Sequence, residues 1–495
     1  MSGDTAVVWF RRDLRLTDHP ALLAAADAGP GGALALFVLD PRLWRPSGPA
    51  RQAFLVGCLR ELDAALGGRL LVRRGDPVDV VPSAARAVGA RTVHVSADAG
   101  PYGRSRDEAV AAALARDGVE LVRTGSPYAV TPGRVRKPDG HPYRVFTPFH
   151  RAWLAHGWRA PADTGPDTVD WLDCSGPGSP AGPGEAAGAG SGVDAAGEGL
   201  PAAPECESRL PEPGEAAALV AWADFRDGPL ADYDTARDRP GVPGTSRLSP
   251  YLRFGCVHPR TLLRDLASSS SRPAPADGGG PPAKARDTFR AELAWRDFYA
   301  DVLWHHPRTA RDNGDRRFDA MPWDSGDEAE QRFAAWRDGR TGYPIVDAGM
   351  RQLRAEGWMH NRVRMIVASF LVKDLHLPWW RGARHFMHHL VDGDLASNQH
   401  GWQWVAGSGT DAAPYFRIFN PVSQGERFDP DGSYMRRYLP ELRQVTGKAV
   451  HRPWTLPGGP PSGYPGPVVV HADERAESLA RYELVKAAGR SSTDR

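Results

Sequence analysis

Five short apolar runs alternate with four helix-forming segments between residues 6 and 123, and the alternation then stops. The runs are Ala6–Phe10, Ala33–Asp40, Leu70–Arg73, Thr92–Ser96 and Val119–Arg123. Between them, Asp18 precedes Pro20 in the manner of a helix cap and Gly29 ends that helix. Further helices are expected from about Arg51 to Leu66, from Asp76-Pro77 to Gly89, and over Arg104–Arg116. Strands joined by helices pair in parallel through right-handed crossovers. Residues 1–130 are therefore expected to form a doubly wound, Rossmann-like α/β domain, whose ligands would sit beyond the carboxyl ends of the strands. The first strand leads into Trp9-Phe10-Arg11-Arg12-Asp13-Leu14-Arg15-Leu16, with no Gly-x-Gly-x-x-Gly after it, and the chain has no Gly-x-x-x-x-Gly-Lys-Ser/Thr. That run reads either as a charged loop or as a ligand crevice, and the fold alone does not choose.

A chain of 495 residues exceeds what one core supports, so at least two domains are expected. Residues 131–214 read as a linker. Within it Ser175–Pro213 is rich in Gly, Ala, Pro and Glu and is expected to be a disordered linker or surface loop. Residues 215–495 read as helical, interrupted by a mobile Ser/Pro/Gly loop at Ser268–Ala283. Helices are expected over Glu215–Asp224, Thr288–His305 and Glu328–Arg337, from Pro344 to Gly357, and from His360 to Leu375. On the last, Asn361, Arg364, Met365 and Ala368 share one face at i, i+3, i+4 and i+7. Asn and Arg on an apolar face do not make an ordinary core stripe.

Trp, Asn, Arg and Asp crowd the stretch from Thr341 to Pro421, in a chain whose 16 Trp equal its 16 Phe. Polar groups buried beside aromatics are costly unless something satisfies them. The stretch therefore points to a large aromatic cofactor with a polar tail. A formal net charge of +1 gives no whole-chain signal for nucleic acid, so any basic face must be local. Cys58, Cys174, Cys206 and Cys256 lack metal or disulfide spacing, and no leader or membrane-spanning run stands out, which fits the cytoplasm. His385, His388 and His389 share a helix face, but no carboxylate has matching spacing, so packing or DNA-side polarity is preferred to a metal.

Four runs together carry a family likeness: Trp9–Leu16, Gly244–Tyr251, Glu292–Tyr299 and the stretch Thr341–Pro421. The chain resembles the photolyase/cryptochrome family of flavoproteins, and within it the bacterial class I photolyases acting on cyclobutane pyrimidine dimers. The likeness covers nearly all the chain outside its two low-complexity insertions. It implies an α/β antenna domain followed by an all-α domain binding one reduced FAD. It also implies an enzyme, a carbon–carbon lyase in which blue light drives an electron from the flavin to a flipped-out dimer and back.

Residue by residue, the resemblance places Tyr233, Thr245, Ser246, Arg247, Leu248 and Ser249 at the diphosphate, and Arg296, Arg364, Asp392, Asp394 and Asn398 around the FAD. Ser249 before Pro250 reads equally as a helix cap, and Asp392 with Asp394 as a solvated turn. Glu292, Trp295, Asn361, Met365 and Trp404 would line the lesion pocket, with Arg362 and Arg417 on phosphates. A carboxylate beside a base that gains an electron helps only as a donor, so Glu292 is expected to have a raised pKa in the complex. Trp402, Trp379 and Trp323 would relay electrons to an oxidised flavin. The neighbouring Trp380 is assigned to core packing.

Tyr102-Gly103 stands before Arg104-Ser105-Arg106-Asp107, where folate-using members carry Asn-Glu. The resemblance therefore implies 8-hydroxy-5-deazaflavin as antenna, near Arg11, Phe37, Asp40, Arg51, Asp98 and Gly100. Methenyltetrahydrofolate or no chromophore are the alternatives. The expected partner is ultraviolet-damaged DNA, bound by a monomer, with no membrane partner. A cryptochrome photoreceptor, a (6–4) photolyase and an electron-transfer flavoprotein without a DNA role are the competing readings. Asn361 and Met365 stand where (6–4) enzymes carry His, and Glu292, Trp295 and Met365 together oppose the third reading.

Overall fold

The computed structural model describes residues 4–173, 199–271, 282–411 and 416–493. Strands β1 (Thr5–Phe10), β2 (Ala33–Leu39), β3 (Leu70–Arg74), β4 (Ala90–Val95) and β5 (Glu120–Arg123) form one parallel sheet in the order β3-β2-β1-β4-β5. In register, Val7 sits beside Leu34 on one side and Val93 on the other. Helices α1 (Pro20–Ala28), α2 (Pro49–Ala65), α3 (Pro77–Ala87) and α4 (Pro101–Arg116) are the crossovers. The strands buried on both faces read as continuous apolar runs, which is why the sequence located them. Asp76 caps α3, accepting from the Val78 amide at 3.0 Å. Asp18 does not cap α1. The cap position is His19, with no side-chain bond, and Asp18 adopts a left-handed φ of 47°. Its carboxylate instead takes Arg260 at 2.6 Å and the Ala162 amide at 2.8 Å.

The strand order reverses beside β1, so the loops after β1 and β4 flank the crevice where ligands of such sheets bind. Beyond the sheet, α5 (Phe146–His156) packs on the helical half: Phe149 meets Phe298 at 5.1 Å, and Trp153 Nε1 donates to Asp297 at 3.0 Å. Residues 170–172 return to β2, where the Ala33 amide donates to the Asp170 carbonyl and the Leu172 amide to the Ala33 carbonyl. Most of the Gly/Pro-rich segment, and most of the Ser268–Ala283 loop, lie outside the described residues.

The helical half comprises α6 (Glu215–Asp227), α7 (Ser249–Phe254), α8 (Pro259–Ser271), α9 (Ala283–His305), α10 (Asp327–Arg337), α11 (Pro344–Glu356), α12 (Asn361–Lys373), α13 (Trp379–His389), α14 (Leu395–Ala406), α15 (Pro421–Phe428), α16 (Ser433–Tyr438) and α17 (His471–Thr493). Alternate residues of β1 face different cores. Val7 and Trp9 pack with the crossovers α3 and α4, whereas Ala6, Val8 and Phe10 join Trp153 of α5 and Trp222, Phe289 and Phe298 from the helical half. A second helical core gathers Trp336, Val367, Trp379, Trp402 and Tyr434. The halves thus share one core and approach tightly. Gly255, at φ +71°, lies so close to the Arg12 carbonyl that a Cβ there would clash with the backbone. Among the described residues, no helix is long and apolar enough to cross a membrane.

Candidate functional site

The loop Asp392-Gly393-Asp394, between α13 and α14, is gripped by four arginines. Arg364 Nη2 donates to Asp392 Oδ2 at 2.8 Å while its Nε holds the Met359 carbonyl at 2.8 Å. The Gly393 carbonyl accepts from Arg51 at 3.1 Å and from Arg253 at 2.8 Å. Asp394 caps α14 by accepting from the Ser397 amide at 3.0 Å, and its other oxygen takes Arg12 at 2.7 Å. Burial opposes its charge, but Arg12, Arg253 and Arg296 outweigh burial and hold its carboxyl far below the usual range. The pair is no solvated turn: Asp392 is buried and Asp394 half-buried.

Buried polar atoms of this region without a protein partner include Asp392 Oδ1, His360 Nε2 and the Nε atoms of Arg12 and Arg51. His360 caps α12 through Nδ1, which accepts from the Arg362 amide at 3.2 Å. Burial lowers its pKa to about 4, so the ring is neutral and Nε2 carries its hydrogen. An unsatisfied acceptor and an unsatisfied donor fit a polar cofactor. At Gly401 a Cβ would meet nothing within 4 Å, so open space lies beside α14 there. Asn398 gives its Nδ2 to the Ala383 carbonyl at 3.1 Å and to Gln399 at 2.9 Å, which leaves Oδ1 as an acceptor.

The Gly244–Tyr251 run ends in α7, with Ser249 as its first residue rather than its cap. Ser249 Oγ accepts from Trp358 Nε1 at 3.2 Å, and Ser246 Oγ from the Leu248 amide at 3.4 Å. Thr245 and Ser246 are half-buried, whereas the Leu248 side chain is core. Arg247, at φ 49°, extends over Trp358 at 4.3 Å to Glu356 at 2.8 Å. Arg296 donates to the Pro127 and Leu252 carbonyls at 2.7 and 2.9 Å and covers the Tyr128 ring, so it pins the sheet domain to α7. Tyr233 stands edge-on to Phe225 and Phe289 beneath Arg237.

Glu292 on α9 pairs with Arg237 at 2.7 Å. Burial raises its pKa and Arg237 lowers it, with burial prevailing. The upward direction expected for the complex is thus present in the protein alone. Trp295 carries Phe146 stacked on one face, 3.7 Å between centroids, with His150 stacked beyond Phe146. Asn361 is exposed at the first position of α12, while Arg362, Arg364 and Met365 are half-buried. Arg362 binds Asp238 at 2.8 Å, lies over Phe428 and reaches Met365 Sδ at 3.8 Å. Trp404 and Arg417 line a cavity of ≈ 30 Å³ with Lys373, Phe416 and Phe419. Burial lowers the Lys373 pKa to about 7.

Trp402 is buried against Phe386 at 5.0 Å and Trp336 at 6.1 Å. Its ring lies over Gly382, where any Cβ would overlap it. Trp379 is wholly buried and donates to Asn313 Oδ1 at 2.9 Å. Trp323 is half-buried. Trp380 is not core: it is 36% exposed. Of the three histidines on α13, His385 packs edge-on against Phe333 and Trp336.

At the sheet crevice, Arg11 binds Asp107 and the Ser96 carbonyl. Asp98 accepts from the Gly100 amide and Arg106. Asp40 caps the turn Pro41–Trp44 and accepts from the Tyr102 hydroxyl. Phe37 belongs to the core, and Arg51 turns to the Met387 and Gly393 carbonyls rather than to the crevice. Sequence reasoning missed Arg12, Arg237, Arg253, Phe146 and His360 as site neighbours. Lone arginines among 61 basic residues give no local signal.

Two family descriptions match the chain: "DNA photolyase" over residues 6–167 and "FAD binding domain of DNA photolyase" over residues 289–484. The deoxyribodipyrimidine photo-lyase of Synechococcus sp. is 41% identical, aligned over 97% of this chain and 96% of its own. That of Streptomyces griseus is 42% identical over 97% and 99%. Among solved structures, a bacterial class III photolyase from Agrobacterium tumefaciens matches with a TM-score of 0.86 at 36% identity, covering 98% of each chain. The cryptochrome of Synechocystis sp. PCC6803 matches at 0.83 and 29%, covering 97% of this chain and 99% of that one.

Proposed function

The chain belongs to the DNA photolyase family, and from that premise we propose that it is a light-dependent, FAD-binding repair enzyme that splits cyclobutane pyrimidine dimers in ultraviolet-damaged DNA. The observation that carries this reading is the Arg364–Asp392 pair, whose buried Oδ1 waits for a donor inside the FAD-binding half. FAD, when bound, supplies the light-driven one-electron chemistry; the protein supplies position, dryness and electrostatics. In this reading Asp392, Asp394, Arg364, His360 and Asn398 hold the ring system, and Tyr233, Thr245, Ser246 and the amides of Arg247, Leu248 and Ser249 receive the diphosphate. Arg296 acts from behind, by pinning α7 to the sheet domain.

In this reading the lesion is flipped out of the duplex, because a base inside the stack is out of reach of the pocket; photolyases are among the enzymes that work this way. Its bases would then meet Trp404, Met365, Asn361 and the uncovered side of Trp295, and Glu292 would donate a hydrogen bond from its protonated form. Arg362 and Arg417 would meet phosphates, Arg362 exchanging Asp238 for one of them. Trp402, Trp379 and Trp323 would return electrons to an oxidised flavin.

For the antenna we propose 8-hydroxy-5-deazaflavin at the sheet crevice, supported by the gathering of Arg11, Asp40, Asp98 and Gly100 there. The absorption spectrum of protein mixed with each candidate chromophore decides between deazaflavin, folate and neither. We place the enzyme in the cytoplasm as a monomer.

The test of function mixes reduced protein with ultraviolet-damaged oligonucleotide and compares dimer content in light and dark. Loss of cyclobutane dimers only in light is expected; equal dimer content in both arms overturns the reading. A cryptochrome reading is supported less, because full-length relatives at 36–43% identity are photo-lyases.

A further inference from the structure

Trp380 is the odd member of the tryptophan series. Its ring stands edge-on to Trp379, with centroids 6.0 Å apart and planes at 80°, and edge-on to Trp323, at 6.0 Å and 81°. Trp379 shares a face of α13 with Gly382, Ala383 and Phe386, all buried, and Trp402 fills the notch at Gly382. Indole rings therefore run from the interior at Trp402 to the surface, and Trp380 touches both rings flanking it in that series.

We propose that Trp380 is the obligatory third ring of the relay, between Trp379 and Trp323. The inference rests on the relay reading given above. Electron hopping falls exponentially with separation, so an oxidisable ring in contact with both neighbours carries the transfer ahead of a direct jump past it. Partial exposure suits the position, because water stabilises a developing positive charge and accepts a proton.

The electrons balance as follows. One electron leaves Trp402 for the light-excited oxidised flavin. Trp379 refills Trp402, Trp380 refills Trp379, and Trp323 refills Trp380; no bond breaks in these steps. The vacancy at the outer end sheds its indole N–H proton to water. An external thiol then returns one hydrogen atom and becomes a thiyl radical.

The test is flash photolysis of the full-length, FAD-loaded protein with its flavin oxidised, read at the tryptophan-radical absorption. A Trp380→Phe protein keeps an aromatic ring but cannot be oxidised at that position. Its yield of long-lived radical is expected to fall at least tenfold, and Trp380→Tyr is expected to restore a long-lived signal with a tyrosyl spectrum. Wild-type yield and lifetime in Trp380→Phe overturn the inference, as does a Trp380→Tyr protein as silent as Trp380→Phe. Trp379→Phe separates the two levels. If it abolishes the signal while Trp380→Phe does not, only the role of Trp380 fails; if it leaves the signal intact, the relay reading itself fails.

Discussion

Glu292 and Arg237 stand 2.7 Å apart, both half-buried, and partial burial outweighs the guanidinium in setting the direction of the carboxyl's pKa shift. Removing the cation leaves burial unopposed. In Arg237→Met the Glu292 carboxyl should stay protonated to higher pH than in wild type. Infrared titration checks this, with Glu292→Gln identifying the band. A band that vanishes at the same pH in both proteins would contradict the assignment.

Asp392→Ala removes the acceptor that Arg364 holds and the unpartnered Oδ1. A lost charge-assisted bond is worth about 1.5–3 kcal/mol, or roughly 10- to 150-fold in affinity. The flavin-to-protein ratio after dialysis should fall accordingly.

Arg12→Ala strands Asp394 without its cross-domain cation. Breaking a half-buried pair costs about 1–3 kcal/mol, less than a fully buried one. The folded pKa of Asp394 lies below its unfolded one, so the stabilisation is present above about pH 4 and is lost as pH falls through the folded value. Denaturation midpoints of wild type and variant should differ most at neutral pH and converge in acid.

Lys373 gives a pH slope of the same sign from a different cause, the burial of a cation. Burial drops its pKa to about 7, so between about pH 7 and about pH 10.4 the unfolded chain binds the extra proton. Wild-type stability should rise with pH across that window. Lys373→Met should lack the slope and gain about 2 kcal/mol below pH 7, where the buried charge is otherwise carried.

Gly382→Ala would drive a methyl group into the Trp402 ring. Overpacking of this kind costs about 1–3 kcal/mol. A lowered melting temperature together with a changed tryptophan emission is expected; a silent substitution would mean that the ring is loosely held.

The sheet was legible because buried parallel strands leave unbroken apolar runs, and the five strands lie within a residue or two of their expected ends. Asp18 misled because a cap pattern is local, whereas the cation that claims its carboxylate, Arg260, arrives from 242 positions away. The same holds for Arg51, read as an antenna ligand but used across the domain boundary. Adjacent indoles at 379 and 380 look alike in sequence. Only the phase of α13, fixed by its start after Pro378, sends one inward and the other to solvent. The face bearing Asn361, Arg364 and Met365 was legible because helical spacing alone brings those residues together.

The grip of Arg12 and Arg51 on the Asp392–Asp394 loop bears on any attempt to shrink the protein. A fragment starting at residue 215 would retain Arg364, Asp392, Asn398 and all four indoles of the proposed relay. It would nonetheless lose two of the guanidinium groups that hold the loop, together with the sheet face that completes the shared core. Minimal light-driven catalysts carved from this scaffold would need those two cations rebuilt on the helical side before any trimming begins.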